Sequence, residues 1–172
     1  DTGTATTDSV TLTNASGTAA TDVFAGQNIV SNGYETVTIN TTSGGTATTQ
    51  TVGTITVTAD TSTPAAATSV VFTGSNLATV GAITATTIDA SGLSTVGAFN
   101  TFVMSAAAVG VKTITGSEGR DTLVGDASST INGNGGNDTI TGGSGADVLN
   151  GGDGNDGITT NGGSDTVNGG AG

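Results

Sequence analysis

The chain is predicted to be all-β, a thin solenoid wound from short strands, and three observations predict it. From Gly133 to Asn168 the sequence repeats every nine residues, reading GNGGNDTIT, GGSGADVLN, GGDGNDGIT and TNGGSDTVN. Between Val30 and Ile114 β-branched residues alternate with small ones, at the period of two that a half-buried strand needs. Nowhere does a helical period persist, and the richness in Thr and Gly works against helices. With 33% hydrophobic and 3% aromatic residues, little is left for a thick globular core, which a solenoid does not require.

The chain divides into a Thr/Ala/Gly-rich region, residues 1–115, and a repeat-bearing region, residues 116–172. At the start, GTATTDSVT (Gly3 to Thr11) and GTAATDVFA (Gly17 to Ala25) are faint echoes of the nine-residue unit, with Asp8 and Asp22 at its sixth position. Strands are expected within ETVTIN (Glu35 to Asn40), GTITVTAD (Gly53 to Asp60), TSVVFTG (Thr68 to Gly74), TATTIDASG (Thr84 to Gly92) and FNTFVMSA (Phe99 to Ala106). Their centres lie roughly 15 to 18 residues apart and are separated by Gly, Ser, Asn or Pro64, the spacing of turns in an irregular parallel β-solenoid. An antiparallel sandwich gives the same alternation. Repeated TxT spacing, as at Thr36 and Thr38, suits a solvated strand face; an ice-binding face would need that spacing repeated from turn to turn, and it is not.

Each unit from Gly133 onward holds a turn of small and polar residues, an Asp, one variable residue, one aliphatic residue and one polar residue. Burying a single aliphatic residue per nine (Ile140, Leu149, Ile158, Val167) calls for a flat coil whose neighbouring turns share a thin core. Upstream, GSEGRDTLV (Gly116 to Val124) keeps the loop and Asp121, whereas GDASSTIN (Gly125 to Asn132) is one residue short and lacks the Asp. Thr160 replaces the first glycine of its unit.

These units resemble the repeats-in-toxin nonapeptide GGxGxDxUx, with U a large aliphatic residue, and Gly142 to Asn150 and Gly151 to Thr159 fit it at every fixed position. The resemblance implies a parallel β-roll with two repeats per turn and Ca²⁺ held between loops on the same edge. Asp138 should then face Asp121 and Asp156, and Asp147 should face Asp165. The residue types agree. The chain has no His and no Cys, so only oxygen ligands remain, and carboxylates with glycine-loop carbonyls suit a hard cation. Several Ca²⁺ ions are expected, held by Asp121, Asp138, Asp147, Asp156 and Asp165 with the backbone carbonyls of Asn134, Gly136, Gly143, Gly145, Gly152, Gly154 and Gly163. Asp8 and Asp22 are weaker metal candidates, and Asp126 is expected to be a turn residue. Without Ca²⁺ the segment from Gly116 should be disordered, because its carboxylates repel and its apolar content is low.

Function classes narrow by inventory. A net charge of −12, from 14 acidic residues against two basic ones, excludes a basic nucleic-acid footprint and opposes contact with an anionic membrane. No apolar run is long enough for a signal peptide or a span. Without His or Cys, neither a Ser-His-Asp triad nor a Cys nucleophile can be built, and no catalytic residue is expected. GYETVTIN (Gly33 to Asn40) and TIDASGLS (Thr87 to Ser94) leading into GSEGRDTLVG (Gly116 to Gly125) resemble the Ca²⁺-dependent surface-layer proteins of Gram-negative bacteria. That resemblance implies type I secretion, an extracellular or cell-surface location, partnership with further copies of itself, and contact with cell-surface polysaccharide only through another region. A repeat module of a larger secreted adhesin, toxin or hydrolase is the competing expectation. Asp1 at the start and GGAG at the end read as the boundaries of a segment from a longer chain.

Overall fold

The computed structural model describes residues 9–13, 26–32, 35–42, 50–58, 68–75, 78–94, 100–104, 110–111 and 113–172, and every regular element among them is a strand. In the upstream region these are β1 (Ser9–Thr13), β2 (Ile29–Asn32), β3 (Thr36–Asn40), β4 (Gln50–Val52) and β5 (Ile55–Thr58). They continue with β6 (Ser69–Gly74), β7 (Ala78–Val80), β8 (Ile83–Thr84), β9 (Thr87–Leu93), β10 (Asn100–Met104) and β11 (Thr113–Thr115). The repeats supply β12 (Arg120–Val124), β13 (Thr130–Gly135), β14 (Thr139–Gly143), β15 (Val148–Asp153), β16 (Gly157–Asn161) and β17 (Thr166–Ala171).

All strand pairs among the described residues are parallel, so the alternation belongs to a solenoid rather than a sandwich. One sheet runs β1-β3-β6-β9-β11-β13-β15-β17, a second β4-β7-β10-β12-β14-β16, and a third, confined to the upstream region, β2-β5-β8. The upstream coil is therefore three-sided and narrows to a two-sided roll. The five stretches expected as strands each contain one, but they are not five equivalent turns. β3, β6 and β9 lie in the first sheet, β10 in the second and β5 in the third. The short strands β2, β4, β7 and β8 are two to four residues long, too short for alternation to mark them.

Both regions share one core. Val37, Ile39, Val70, Phe72, Ile88 and Ile114 upstream are fully buried, as are Leu123, Ile131, Ile140 and Leu149 downstream. Three sides enclose room for Phe72 and Phe102, whose rings pack with centroids 4.8 Å apart at 49°. Two sides leave a core one aliphatic side chain thick. Across residue 115 the sheet does not break, since Thr113–Thr115 pairs with Thr87–Asp89 on one side and Thr130–Asn132 on the other.

The short unit at 125–132 is absorbed in its loop. Thr113 pairs with Thr130 and Thr122 with Thr139, turns of 17 residues, whereas Thr130 pairs with Val148 and Thr139 with Gly157, turns of 18. A one-residue slip in the strands would have turned each aliphatic side chain outward, so the deletion falls where no side chain alternates. Registration also aligns residues that irregular turn lengths hide. Ser9, Thr36, Ser69, Thr87, Thr113, Thr130, Val148 and Thr166 form one line along the outer face of the first sheet.

Candidate metal centre

Each repeat places a loop before its Asp, and strand pairing stacks every second loop on one edge of the roll. One edge carries loops 116–120, 133–137 and 151–155, ending in Asp121, Asp138 and Asp156; the other carries 125–129, 142–146 and 160–164, ending in Ser129, Asp147 and Asp165. Adjacent carboxylates then form a ladder. Oδ1 of Asp138 accepts the N–H of Asp121 at 2.8 Å, and Oδ1 of Asp156 accepts that of Asp138 at 2.9 Å. On the other edge Oδ1 of Asp147 accepts the Ser129 N–H at 2.7 Å and Oδ1 of Asp165 the Asp147 N–H at 2.9 Å. The ladder reaches into the upstream coil, where the Phe102 N–H donates to Oδ1 of Asp121 at 2.8 Å.

The second carboxylate oxygen divides the loops into two conformations. In 116–120 and 142–146 the N–H of the second residue folds back onto it: Ser117 donates to Asp121 Oδ2 at 2.6 Å, and Gly143 to Asp147 Oδ2 at 2.8 Å. Loops 133–137, 151–155 and 160–164 instead take positive φ at their second and fourth residues: Asn134 (73°) and Gly136 (114°), Gly152 (109°) and Gly154 (128°), Asn161 (65°) and Gly163 (122°). Oδ2 of Asp138 and of Asp156, shielded from solvent, has no hydrogen-bond partner. A buried carboxylate oxygen without a donor costs several kcal/mol on the general scale, and a bound cation removes that cost.

Carbonyls complete the set of donors. Among the described residues no three carboxylates converge on one point, so backbone oxygens must supply most of a shell of about six to eight. The loops stack so closely that a methyl group on Gly152 would meet the carbonyl oxygen of Asn134, on Gly154 that of Gly136, on Gly163 that of Gly145, and on Gly170 that of Gly152. Carbonyls of the second and fourth loop residues thus point along the stacking axis at the next loop, those of Gly151, Thr160 and Gly169 lie near Oδ2 of Asp138, Asp147 and Asp156, and such an all-oxygen donor set fits Ca²⁺. Of the residues expected to bind metal, Asp138, Asp156, Asn134, Gly136, Gly152 and Gly154 meet on one edge. Asp147, Asp165, Gly143, Gly145 and Gly163 meet on the other. Asp121 heads the first edge, and Asp8 and Asp22 lie outside the described residues. Asp126 does not join a ladder; its Oδ2 accepts the Gly110 N–H at 2.9 Å. Ser129, in the Asp position of the short unit, was not singled out by sequence reasoning, although the missing residue marks the place.

Burial pushes the Asp121 carboxyl up to about 7, with the Asp138 charge adding to the rise and hydrogen bonds from Ser117 and Phe102 opposing it. Burial likewise raises Asp138 to about 6, helped by Asp156 and opposed by the Asp121 N–H. In the metal-free chain these groups bind protons more tightly folded than unfolded, so the fold loses stability as pH rises from about 4 towards 7. At Asp138, whose Oδ2 has no hydrogen-bond partner, calcium competes with the proton. The Ca²⁺ concentration needed for half-maximal β-structure should therefore fall between pH 5 and pH 7.5, while the chelated chain should gain order on acidification. Circular dichroism titrations at three pH values check both, and a pH-independent midpoint would contradict them.

The family model of the RTX calcium-binding nonapeptide repeat matches four copies, over residues 113–129, 125–158 and 148–172. No curated protein and no solved structure matches the chain. The matched span coincides with the stacked loops, the aspartate ladders and the crowded glycines. Residues 113–172 are thus RTX calcium-binding nonapeptide repeats, a repeat type that binds several Ca²⁺ ions and is typical of proteins secreted by type I systems.

Proposed function

We propose that the chain is a calcium-set structural segment of a self-associating extracellular layer or fibre, of the surface-layer kind, with no catalytic activity of its own. The observation that carries this reading is the unbroken sheet across residue 115 and the single core beneath it. A repeat module appended to a catalytic domain would need only a linker at its upstream side, whereas here the upstream strands and the repeats are one scaffold. Inventory supports the absence of catalysis, since the chain has no His or Cys. Asp121, Asp138, Asp147, Asp156 and Asp165 are tied into the ladders, and Asp126 accepts a backbone N–H. Secretion in low cytosolic Ca²⁺ would keep residues 133–172 unfolded for passage, and extracellular Ca²⁺, at the roughly 10⁻⁴ to 10⁻³ M that such modules bind, would set them. Further copies of the same chain are the partners this reading requires, and polysaccharide contact is left to another region. Electron microscopy of the full-length protein in millimolar Ca²⁺ and after chelation tests it. Regular sheets or filaments that dissolve on chelation are expected. Dispersed monomers in both conditions would overturn the reading in favour of a repeat module in a larger adhesin, toxin or hydrolase.

A further inference from the structure

The first loop of the ladder differs from those after it in ways that bear on which repeats take an ion. Asp121 is fully buried, and both of its oxygens are spoken for. Oδ1 accepts the Phe102 N–H at 2.8 Å and the Ser117 hydroxyl at 2.9 Å, while Oδ2 accepts the Ser117 N–H at 2.6 Å and the same hydroxyl at 3.0 Å. The Ser117 carbonyl also receives the Gly135 N–H at 3.4 Å. Nothing in loop 116–120 has positive φ, and Ser at its second position resists the left-handed conformation that Asn134 and Gly152 adopt. The opposite edge begins in a comparable way. Its first loop, 125–129, presents Ser129 in place of an aspartate, and the Ser129 hydroxyl donates to the Val111 carbonyl at 3.2 Å.

We propose that residues 113–132 form a metal-independent collar, in which Ser117 occupies the coordination positions of Asp121, and that the calcium ladder begins only at loops 133–137 and 151–155. Hydrogen bonds and the upstream core hold this collar. Phe102, Val111 and Ile114 belong to the same buried cluster as Leu123 and Ile131, so the turn is anchored on the side away from the ions. Its last function is to present Asp121 N–H to Oδ1 of Asp138, fixing the first ion-holding aspartate before any ion arrives. The roll would then wind outward from a preformed edge, which lowers the cost of nucleating the first calcium-dependent turn.

The inference rests on the calcium reading of the repeats and is tested separately from it. Hydrogen exchange of the full chain, followed by mass spectrometry in EDTA and in millimolar Ca²⁺, should show residues 113–132 protected in both conditions, except for the Asp121, Gly125 and Ser129 amides that donate to later residues, and residues 133–172 protected only with Ca²⁺. If 113–132 exchanges in EDTA as fast as 133–172, there is no collar. If 133–172 is protected equally in both, the calcium reading itself fails, and the collar with it. Calorimetric stoichiometry gives an independent arm: Asp121→Asn should bind as many Ca²⁺ ions as the unmodified chain, and Asp138→Asn should bind fewer. A loss of ions in Asp121→Asn equal to that in Asp138→Asn would overturn the proposal.

Discussion

Gly154→Ala is expected to weaken Ca²⁺ binding by about tenfold or more and to leave the last turns of the roll disordered at Ca²⁺ concentrations that order the unmodified chain. Gly154 holds φ at 128°, outside the range that residues with a Cβ adopt readily, and a methyl group there would land on the Gly136 carbonyl oxygen. Backbone strain of this kind costs on the order of 1–3 kcal/mol, and relieving the collision would separate two loops that must stay stacked to share an ion. Gly157→Ala is the control. Its added carbon would meet only the Asp138 carbonyl, at 3.8 Å, an ordinary contact in a strand. Replacing that glycine should be neutral or stabilising by a few tenths of a kcal/mol to about 1 kcal/mol, because it restricts the unfolded chain. Calcium titration by calorimetry distinguishes the two, and equal effects would mean that loop stacking does not govern affinity.

Asp156→Asn should lower both affinity and cooperativity more than Asp121→Asn, and Asp126→Asn should change little. Asp156 has neighbouring loops on both faces. Its Oδ1 holds the Asp138 N–H, its Oδ2 is buried without a partner, and a methyl on Gly151 would meet both that oxygen and the Gly169 carbonyl. Asparagine keeps the shape and one acceptor but removes the charge that a divalent ion needs, so the loss should fall on two adjacent ions at once. Asp121 sits at the head of the ladder with its oxygens satisfied by Ser117 and Phe102. Asp126 only accepts the Gly110 N–H, a bond that an amide oxygen reproduces. Calorimetry on the three variants ranks them, and a dominant effect of Asp126 would mean the loops are registered differently.

The nine-residue period made the repeat region legible because one aliphatic residue and one aspartate per unit fix both the core and the edge. Ile140 and Leu149 are fully buried as that pattern requires, and Asp138 lies between Asp121 and Asp156. The upstream turn lengths were not legible. Thr36 and Ser69 pair although 33 residues apart, and Ser69 and Thr87 although 18 apart, so no fixed period exists to detect. Loop conformation also escaped the sequence. GGSGAD at 142–147 fits the motif fully, yet its second residue folds back onto Asp147. The reason is tertiary, since this loop rests on the shortened loop 125–129, with the Ser144 N–H bonded to the Asp126 carbonyl at 3.0 Å. Loop 151–155, stacked on a full-length neighbour, takes the left-handed form instead.

Calcium as part of the fold is tested most directly by far-ultraviolet circular dichroism of the chain during Ca²⁺ addition and subsequent EDTA chelation. Strand signal should rise cooperatively with Ca²⁺ at roughly 10⁻⁴ to 10⁻³ M and be reversed by EDTA, because the binding free energy of the ions is what orders residues 133–172. The same spectrum with Ca²⁺ and with EDTA would contradict it, leaving the aspartate ladders as hydrogen-bonded turns that need no ion.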